Sequence, residues 1–274
     1  MSKFNLSCSL IITTYNWPAA LDKVLQSVIW QTILPDEIIV ADDGSQAATR
    51  EMVEKHKKSF PVPVHWVWQE DDGKRKTRIN NIAIAKSSSA YLIFIDHDIL
   101  LHPNFIEDHL SLAEEKFFLN GSRFLMNESS TQQLMQKENI TPKELGKLKG
   151  KNALNRIRIP FLMKWLAHRY QTKGADNFKV RGCNMSFWKK DLVAVNGYDE
   201  SYRGWGREDS NIAARLYYNG IHKKSIKFGG IAYHLNHKEG NKKDDHIYLQ
   251  MLAKTINNKE TWAEAGLNQH LQSE

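Results

Sequence analysis

An α/β fold wound strand, helix, strand is what this sequence predicts, and three observations carry the prediction. Short apolar, β-branched runs of strand length recur at residues 9–14, 37–41 and 91–96. Between them lie segments whose apolar residues repeat with the period of a helix. Each run also ends in polar or acidic residues, so one edge of a sheet would collect them.

Residues 9–14 read as a first buried strand, with Thr13, Thr14, Tyr15 and Asn16 leading into the loop at its carboxyl end. A helix follows, because Leu21, Val24, Leu25, Val28 and Ile29 stand at i, i+3, i+4, i+7 and i+8, with Pro18 tolerable in the first turn. Residues 37–41 form a second strand, which ends in Asp42 and Asp43 before the turn residues Gly44 and Ser45. The crossover of this unit should be right-handed. A helix over 49–58, a strand over 62–68 and a turn at Asp71, Asp72 and Gly73 come next, and a helix within 74–86 precedes the strand at 91–96. Together these make one wound half of an α/β nucleotide-binding fold. Further on, a helix over 105–118 and a strand over 119–125 are expected. After them come a strand over 181–188, a short helix closing at Asn196 and Gly197, a helix through Ile212 to Tyr218 and a strand at 231–237. The tail from 242 reads as polar and mostly helical.

With 274 residues the chain has ample material for one large domain or two small ones. No apolar run approaches the ~20 residues needed to span a bilayer, and the amino terminus lacks the pattern of a secretory leader, so a cytoplasmic location is expected. Cys8 and Cys183 are the only cysteines, too few for a disulfide framework or a thiolate metal site. The net charge of +7 is concentrated: residues 137–181 hold 12 Lys or Arg against 3 Asp or Glu, so the remainder is slightly negative. Within that segment Ile157, Ile159, Phe161, Leu162, Trp165, Leu166 and Tyr170 are interleaved with Arg156, Arg158, Lys164, His168 and Arg169, a basic amphipathic pattern. A helix with a solvated charged face fits it, and so does a surface touching anionic lipid or a lipid-linked acceptor. Nucleic acid is disfavoured, since the cations alternate with aliphatics and no recognition motif is present.

Neither a P-loop nor a dinucleotide fingerprint is present, nor a zinc-protease or serine-hydrolase motif. Phosphates would have to be held by carboxylates and a metal instead. Asp96 and Asp98, one residue apart at a strand end, suit a hard divalent cation, although a polar strand end before a turn fits them too. In Gly204-Trp205-Gly206-Arg207-Glu208-Asp209 two glycines around a tryptophan suit a loop that presents an aromatic face. The two carboxylates after it could simply cap a helix, or could join Trp205 in holding a sugar ring. His234 and His237 close the later strand.

These residues resemble glycosyltransferase family 2, the nucleotide-sugar transferases of GT-A fold. The resemblance rests on residues 12–16, 39–45, 75–84 and 96–98, and on Arg181-Gly182-Cys183-Asn184-Met185-Ser186, residues 196–200 and residues 204–209. The last three are similar to the acceptor-side module of β-1,4-galactosyltransferases and chondroitin-polymerase-type enzymes. The resemblance implies a GT-A fold with a mixed central sheet, a nucleotide-sugar half over 1–118, a connecting segment with the basic insert over 119–180, an acceptor half over 181–240 and a tail over 241–274. It implies that Thr13, Tyr15 and Asp43 recognise the base, with Asp42, Arg75 and Arg78 around the same pocket. Asp96 would meet the ribose and the metal's outer shell, and Asp98 would ligate Mn²⁺ or Mg²⁺ with His234, or alternatively His237. Asp209 would be the catalytic base, and Trp205, Glu208 and Asn184 would meet the acceptor.

The activity so implied is inverting, metal-dependent transfer of a hexose (Gal, GalNAc, Glc or GlcNAc) from a UDP-sugar to a glycan or lipid-linked glycan, in bacterial lipopolysaccharide or capsule synthesis. The basic segment would give peripheral contact with the inner membrane. The alternative is a catalytically inactive glycan- or lipid-binding protein that keeps the fold. Two departures stand out: Ser210 follows the Glu-Asp pair where a further acid is common, and the insert between Asn127 and Lys179 has no counterpart.

Overall fold

The computed structural model describes residues 6–169, 171–172, 178–238 and 245–271. Its first part alternates β1 (Cys8–Thr14), α1 (Pro18–Ile29), β2 (Glu37–Asp42), α2 (Ala47–Lys57), β3 (Val64–Trp68), α3 (Lys76–Lys86) and β4 (Tyr91–Asp96), the wound unit expected from the sequence. Parallel pairing places β1 between β2 and β4, with β3 on the outer side of β2. All of β1 and β2 is buried, which is why these strands read as unbroken apolar runs rather than as alternating ones. Leu10, Ile12, Ile38 and Val40 pack with Leu21, Val24 and Leu25 of α1 on one face. Ile11, Ile39 and Ala41 face the other way and pack with Ile79 and Ala83 of α3.

Later elements extend this sheet. They are β5 (Ile99–Leu101), α4 (Phe105–Leu112), β6 (Phe117–Asn120), β7 (Phe124–Met126), α5 (Glu128–Met135), α6 (Pro142–Leu145), β8 (Gly150–Lys151), a 3₁₀ turn (Ala153–Arg156), α7 (Pro160–Arg169) and β9 (Gln171–Thr172). They continue with β10 (Asn184–Trp188), α8 (Lys189–Ala194), α9 (Glu208–Tyr218), β11 (His222–Ser225), β12 (Ala232–His234), α10 (Asp245–Asn258) and a closing 3₁₀ turn (Leu267–Gln269). The main sheet runs β3-β2-β1-β4-β10-β6-β11-β9, and a small second sheet runs β5-β12-β7-β8. Because β10 lies antiparallel to β4, with Asn184 opposite Ile95, the sheet is mixed and the residues just before β10 arrive beside Asp96.

Three expectations need correction. The helix from Phe105 stops at Leu112 rather than 118, because Phe117, Phe118 and Leu119 are drawn into β6 by parallel pairing with β11. The strand expected over 119–125 is two strands in different sheets. They part at Gly121, where any Cβ would stand 2.3 Å from the Asn184 side chain. The tail is not wholly polar either, since Leu267 is fully buried in the core beside α3.

Candidate active site

The carboxyl ends of β1, β2 and β4 open into a cleft of about 830 Å³, closed on its other side by residues 180–183 and 205–210. Thr13 stands at its floor with its hydroxyl donating to Asn80 Oδ1 at 2.8 Å. Tyr15 is exposed, its phenol 3.0 Å from Asp71 Oδ2, a hydrogen bond that pushes its pKa up. The Asp43 carboxylate receives the Arg75 backbone N–H at 3.0 Å and the side-chain amide of Gln69. Gln69 is in turn held by Arg78, whose Nη1 donates to its Oε1 at 2.8 Å. Burial pushes Asp43 up to about 6 against these bonds and the charges of Lys74 and Arg75.

Asp42, Arg75 and Arg78 are not brought to the cleft wall. Asp42 is fully buried, with Oδ1 accepting the Ser45 N–H at 2.8 Å and Oδ2 the Trp66 indole N–H at 3.1 Å. The Arg75 guanidinium turns to Asp72, 3.2 Å away, and to the Glu70 carbonyl. Arg78 stands behind Gln69. The Arg75 backbone N–H, directly, and Arg78, through Gln69, support Asp43 from behind.

A second cluster gathers at Asp98. Strand β12 runs antiparallel to β5 with His234 opposite Ile99, and Leu235 N–H donates to the Asp98 carbonyl at 2.9 Å. This register carries both histidines to the carboxylate: His237 Nε2 is 2.7 Å and His234 Nε2 3.3 Å from Asp98 Oδ2. Their rings stack at 5.1 Å, and Trp17 meets His97 and His237 edge-on. Burial opposes the charge on Asp98, but the hydrogen bond from His237 and the nearby His234 and His97 hold its carboxyl below the usual range. Asp98 Oδ1 is buried with no hydrogen-bond partner among the described residues. One ligand atom from each of Asp98, His234 and His237 lies within 4.8 Å of the others. Two imidazoles and a carboxylate with an unsatisfied buried oxygen fit a divalent cation such as Mn²⁺. Asp96 is not part of this group. Its Oδ1 takes the Lys76 ammonium at 2.6 Å.

The third cluster lies on the opposite wall. Arg207, in the left-handed region at φ 69°, turns the chain into α9 and is anchored to Asp245 at 2.9 Å. Asp209 sits in the first turn of α9. Its Oδ2 accepts the Gly182 N–H at 2.8 Å, and its Oδ1 is buried without a partner among the described residues. Burial, helped by the negative charges of Glu208 and Asp96 and opposed by Lys76, pushes Asp209 up to about 7. Glu208 accepts the Gly206 N–H at 3.1 Å. Trp205 shows 37% of its surface at the rim, with the Lys74 ammonium 5.7 Å from its ring centre. Asn184, expected to meet the acceptor, lies away from the cleft. It is fully buried, donating to the carbonyls of Ser122 and Gly230 at 2.8 and 2.9 Å while its Oδ1 meets His109 at 2.9 Å.

Lys76, Arg123, Gln69 and Trp17 were not singled out by sequence. Lys76 opens α3 and faces Asp96, while Arg123 lines the cleft with Nη1 3.2 Å from Cys183 Sγ. The one local signal was the run of cations just after Gly73.

A family profile described as glycosyl transferase family 2 matches residues 9–171, more than half of the chain. The chain belongs to glycosyl transferase family 2. A second profile, described as the N-terminal domain of galactosyltransferase, matches residues 169–238 of this family 2 protein. The first match carries Thr13, Asp43, Asp96 and Asp98; the second carries Gly182, Asp209, His234 and His237. The chain is 27% identical over 236 residues to a validoxylamine A glucosyltransferase of Streptomyces hygroscopicus subsp. limoneus, covering 78% of this chain and 48% of that protein. It is 27% identical over 241 residues to a chondroitin synthase of Escherichia coli, covering 82% of this chain and 34% of that one. It thus spans less than half the length of either relative. Among solved structures it resembles S. aureus TarS 1-349 in complex with UDP, at TM-score 0.62 and 16% identity over 97% of this chain and 68% of that one. It also resembles the mannosyltransferase PcManGT of Pyrobaculum calidifontis in complex with GDP-Man and Mn²⁺, at TM-score 0.63 and 15% identity over 94% and 70%. The family 2 chain therefore has the GT-A glycosyltransferase fold.

Proposed function

We propose that this chain transfers a hexose from a UDP-sugar to a hydroxyl of a glycan acceptor, with inversion at the anomeric carbon. The observation that carries this reading is Asp209, a carboxylate with one oxygen anchored and the other unbonded, lining the same cleft as Asp98 and His237. Thr13, Tyr15 and Asp43 would hold the nucleotide, and Asp96 its ribose. Asp98, His234 and His237 would hold Mn²⁺ or Mg²⁺, which supplies Lewis-acid neutralisation of the charge on the departing diphosphate. Lys76 and Arg123 line the same cleft and add positive charge to it. Asp209 Oδ1 would take the proton of the acceptor hydroxyl as its oxygen attacks. The Gly182 N–H would keep the carboxylate aimed. Trp205 would stack on the acceptor sugar and Glu208 would accept from its hydroxyls.

The relatives, a glucosyltransferase and a chondroitin synthase by name, support a sugar acceptor. The UDP and the GDP-Man with Mn²⁺ of the two structural neighbours support a nucleotide-sugar donor and a divalent cation. We assign the product to bacterial surface polysaccharide, lipopolysaccharide or capsule. The test is UDP release from UDP-Gal, UDP-Glc, UDP-GalNAc and UDP-GlcNAc with Mn²⁺, with and without EDTA. One donor should be turned over in a metal-dependent way. Sugar binding with no turnover of any donor would favour a binding module instead.

A further inference from the structure

Helix α7 turns a mixed apolar and cationic face outward. It buries Met163 and Ala167 against Leu112, Leu119 and Ile226. After Pro160, its exposed positions are Phe161, Lys164, Trp165, His168 and Arg169, at i, i+3, i+4, i+7 and i+8, which is one helical face. Phe161 is 81% exposed and Trp165 52%. The approach to the helix adds Leu154, Ile157 and Ile159, so five of the 14 large hydrophobics exposed among the described residues fall between positions 154 and 165. Single exposed apolar residues are ordinary, but a contiguous group marks a contact surface.

Charge says what kind of surface meets it. Residues 143–169 hold eight Lys or Arg and one acid, Glu144, which is paired with Lys137 at 2.8 Å. Arg158 is turned inward to Asp108 at 2.7 Å, whereas Lys164 and Arg169 stand on the outward face, Arg169 lying 5.6 Å over the Trp165 ring. Cations interleaved with aromatic and aliphatic side chains suit an interface where apolar groups enter and positive groups stay at the level of phosphates.

We propose that residues 154–169 seat the protein on the surface of an anionic phospholipid bilayer. Phe161 and Trp165 enter the headgroup boundary, and Lys164 and Arg169 meet the lipid phosphates. A second copy of the chain is a poor occupant, because a two-fold contact of this face with itself would set its own cations against each other. The seat is tied to the cleft, since Asn155 Nδ2 donates to the Arg123 carbonyl at 2.9 Å and Arg123 lines the cleft wall.

The test is co-sedimentation of the whole protein with large vesicles of phosphatidylcholine alone or mixed with phosphatidylglycerol, at low and high salt. Binding should need the anionic lipid and fall with salt, and each of Lys164→Gln and Arg169→Gln should weaken it roughly fivefold. Phe161→Ser/Trp165→Ser should weaken it at least about tenfold, while the melting temperature holds because both side chains point away from the core. Absence of binding to anionic vesicles, or binding indifferent to the double substitution, would overturn the proposal. So would a concentration-dependent dimer that the double substitution abolishes, which would show that a second copy covers this face.

Discussion

The Gly182 N–H lies 2.8 Å from Asp209 Oδ2, and a Cβ built at 182 would stand 2.3 Å from that carboxylate. The residue that aims Asp209 is therefore also the one that leaves room for it. Gly182→Ala should displace the carboxylate and lower turnover about 10²-fold, the cost of misplacing a reacting group by about 1 Å, with little change in nucleotide affinity. Steady-state kinetics beside UDP titration checks this; unchanged kcat would detach Asp209 from the chemistry.

Asp209 itself gives a prediction with a sign in pH. Burial raises its carboxyl to about 7, well above the usual range of an aspartate. Between pH about 4 and about 7 the folded protein keeps a proton that the unfolded chain has lost, so this group's contribution to stability falls as pH rises through that window. Asp209→Asn should flatten that slope and raise the melting temperature at pH 8 by roughly 2–4 °C for each kcal/mol recovered. Turnover in the wild type should rise with pH toward about 7 as the base ionises, and the substitution should lower it by about 10²–10⁴. A melting temperature of Asp209→Asn at or below that of the wild type at pH 8 would contradict the raised carboxyl.

Metal affinity separates the roles of Asp98, His234 and His237. Mn²⁺ should raise the melting temperature of the wild type, and Asp98→Ala should abolish the rise. His234→Ala and His237→Ala should each weaken binding at least about tenfold, and acidification should weaken it further by protonating the imidazoles. Manganese titration followed by electron paramagnetic resonance reads this directly. If one histidine can be removed at no cost, the ligand set is smaller than the geometry suggests.

Arg78 reaches the cleft only through Gln69 and Asp43. Arg78→Ala should loosen the pair and raise the nucleotide Kd about fivefold, the loss of roughly 1 kcal/mol, with kcat near wild type. Calorimetric titration with UDP measures it, and an effect on kcat alone would count against this chain of contacts.

Asn184 should behave as part of the core. Asn184→Ala takes their Asn184 partner from the carbonyls of Ser122 and Gly230 and from His109 Nε2, a loss of about 2–3 kcal/mol that should lower the melting temperature by about 5–10 °C. The acceptor KM of the folded variant should be unchanged.

The sequence announced β1, β2 and β4 because strands buried on both faces are unbroken apolar runs, and it announced Asp98 because that run ends in carboxylates. His234 and His237 stood as alternatives for one place, since nothing local says that β12 will lie antiparallel to β5 in the register that brings both to Asp98. The same holds for Lys76, whose partner Asp96 is 20 residues away, and for Asn184, whose partners come from loops 46 and 62 residues distant. Long-range register decides these contacts, and residue type does not encode it. The end of α4 was missed for a related reason, because pairing with β11 overrides the helical pattern there.

The division of the Asp98 cluster along the chain has a consequence in time. Asp98 leaves the ribosome 136 residues ahead of His234, a delay on the order of ten seconds at ordinary rates of synthesis. A nascent chain with β1 to β5 complete already carries Thr13, Asp43 and Asp98, yet neither histidine nor Asp209 has been made. Under the proposed function, fragments released early, or clipped before residue 209, would hold only the wall built from β1, β2 and β4 and would be inert. The cleft is complete only once translation has run past His237.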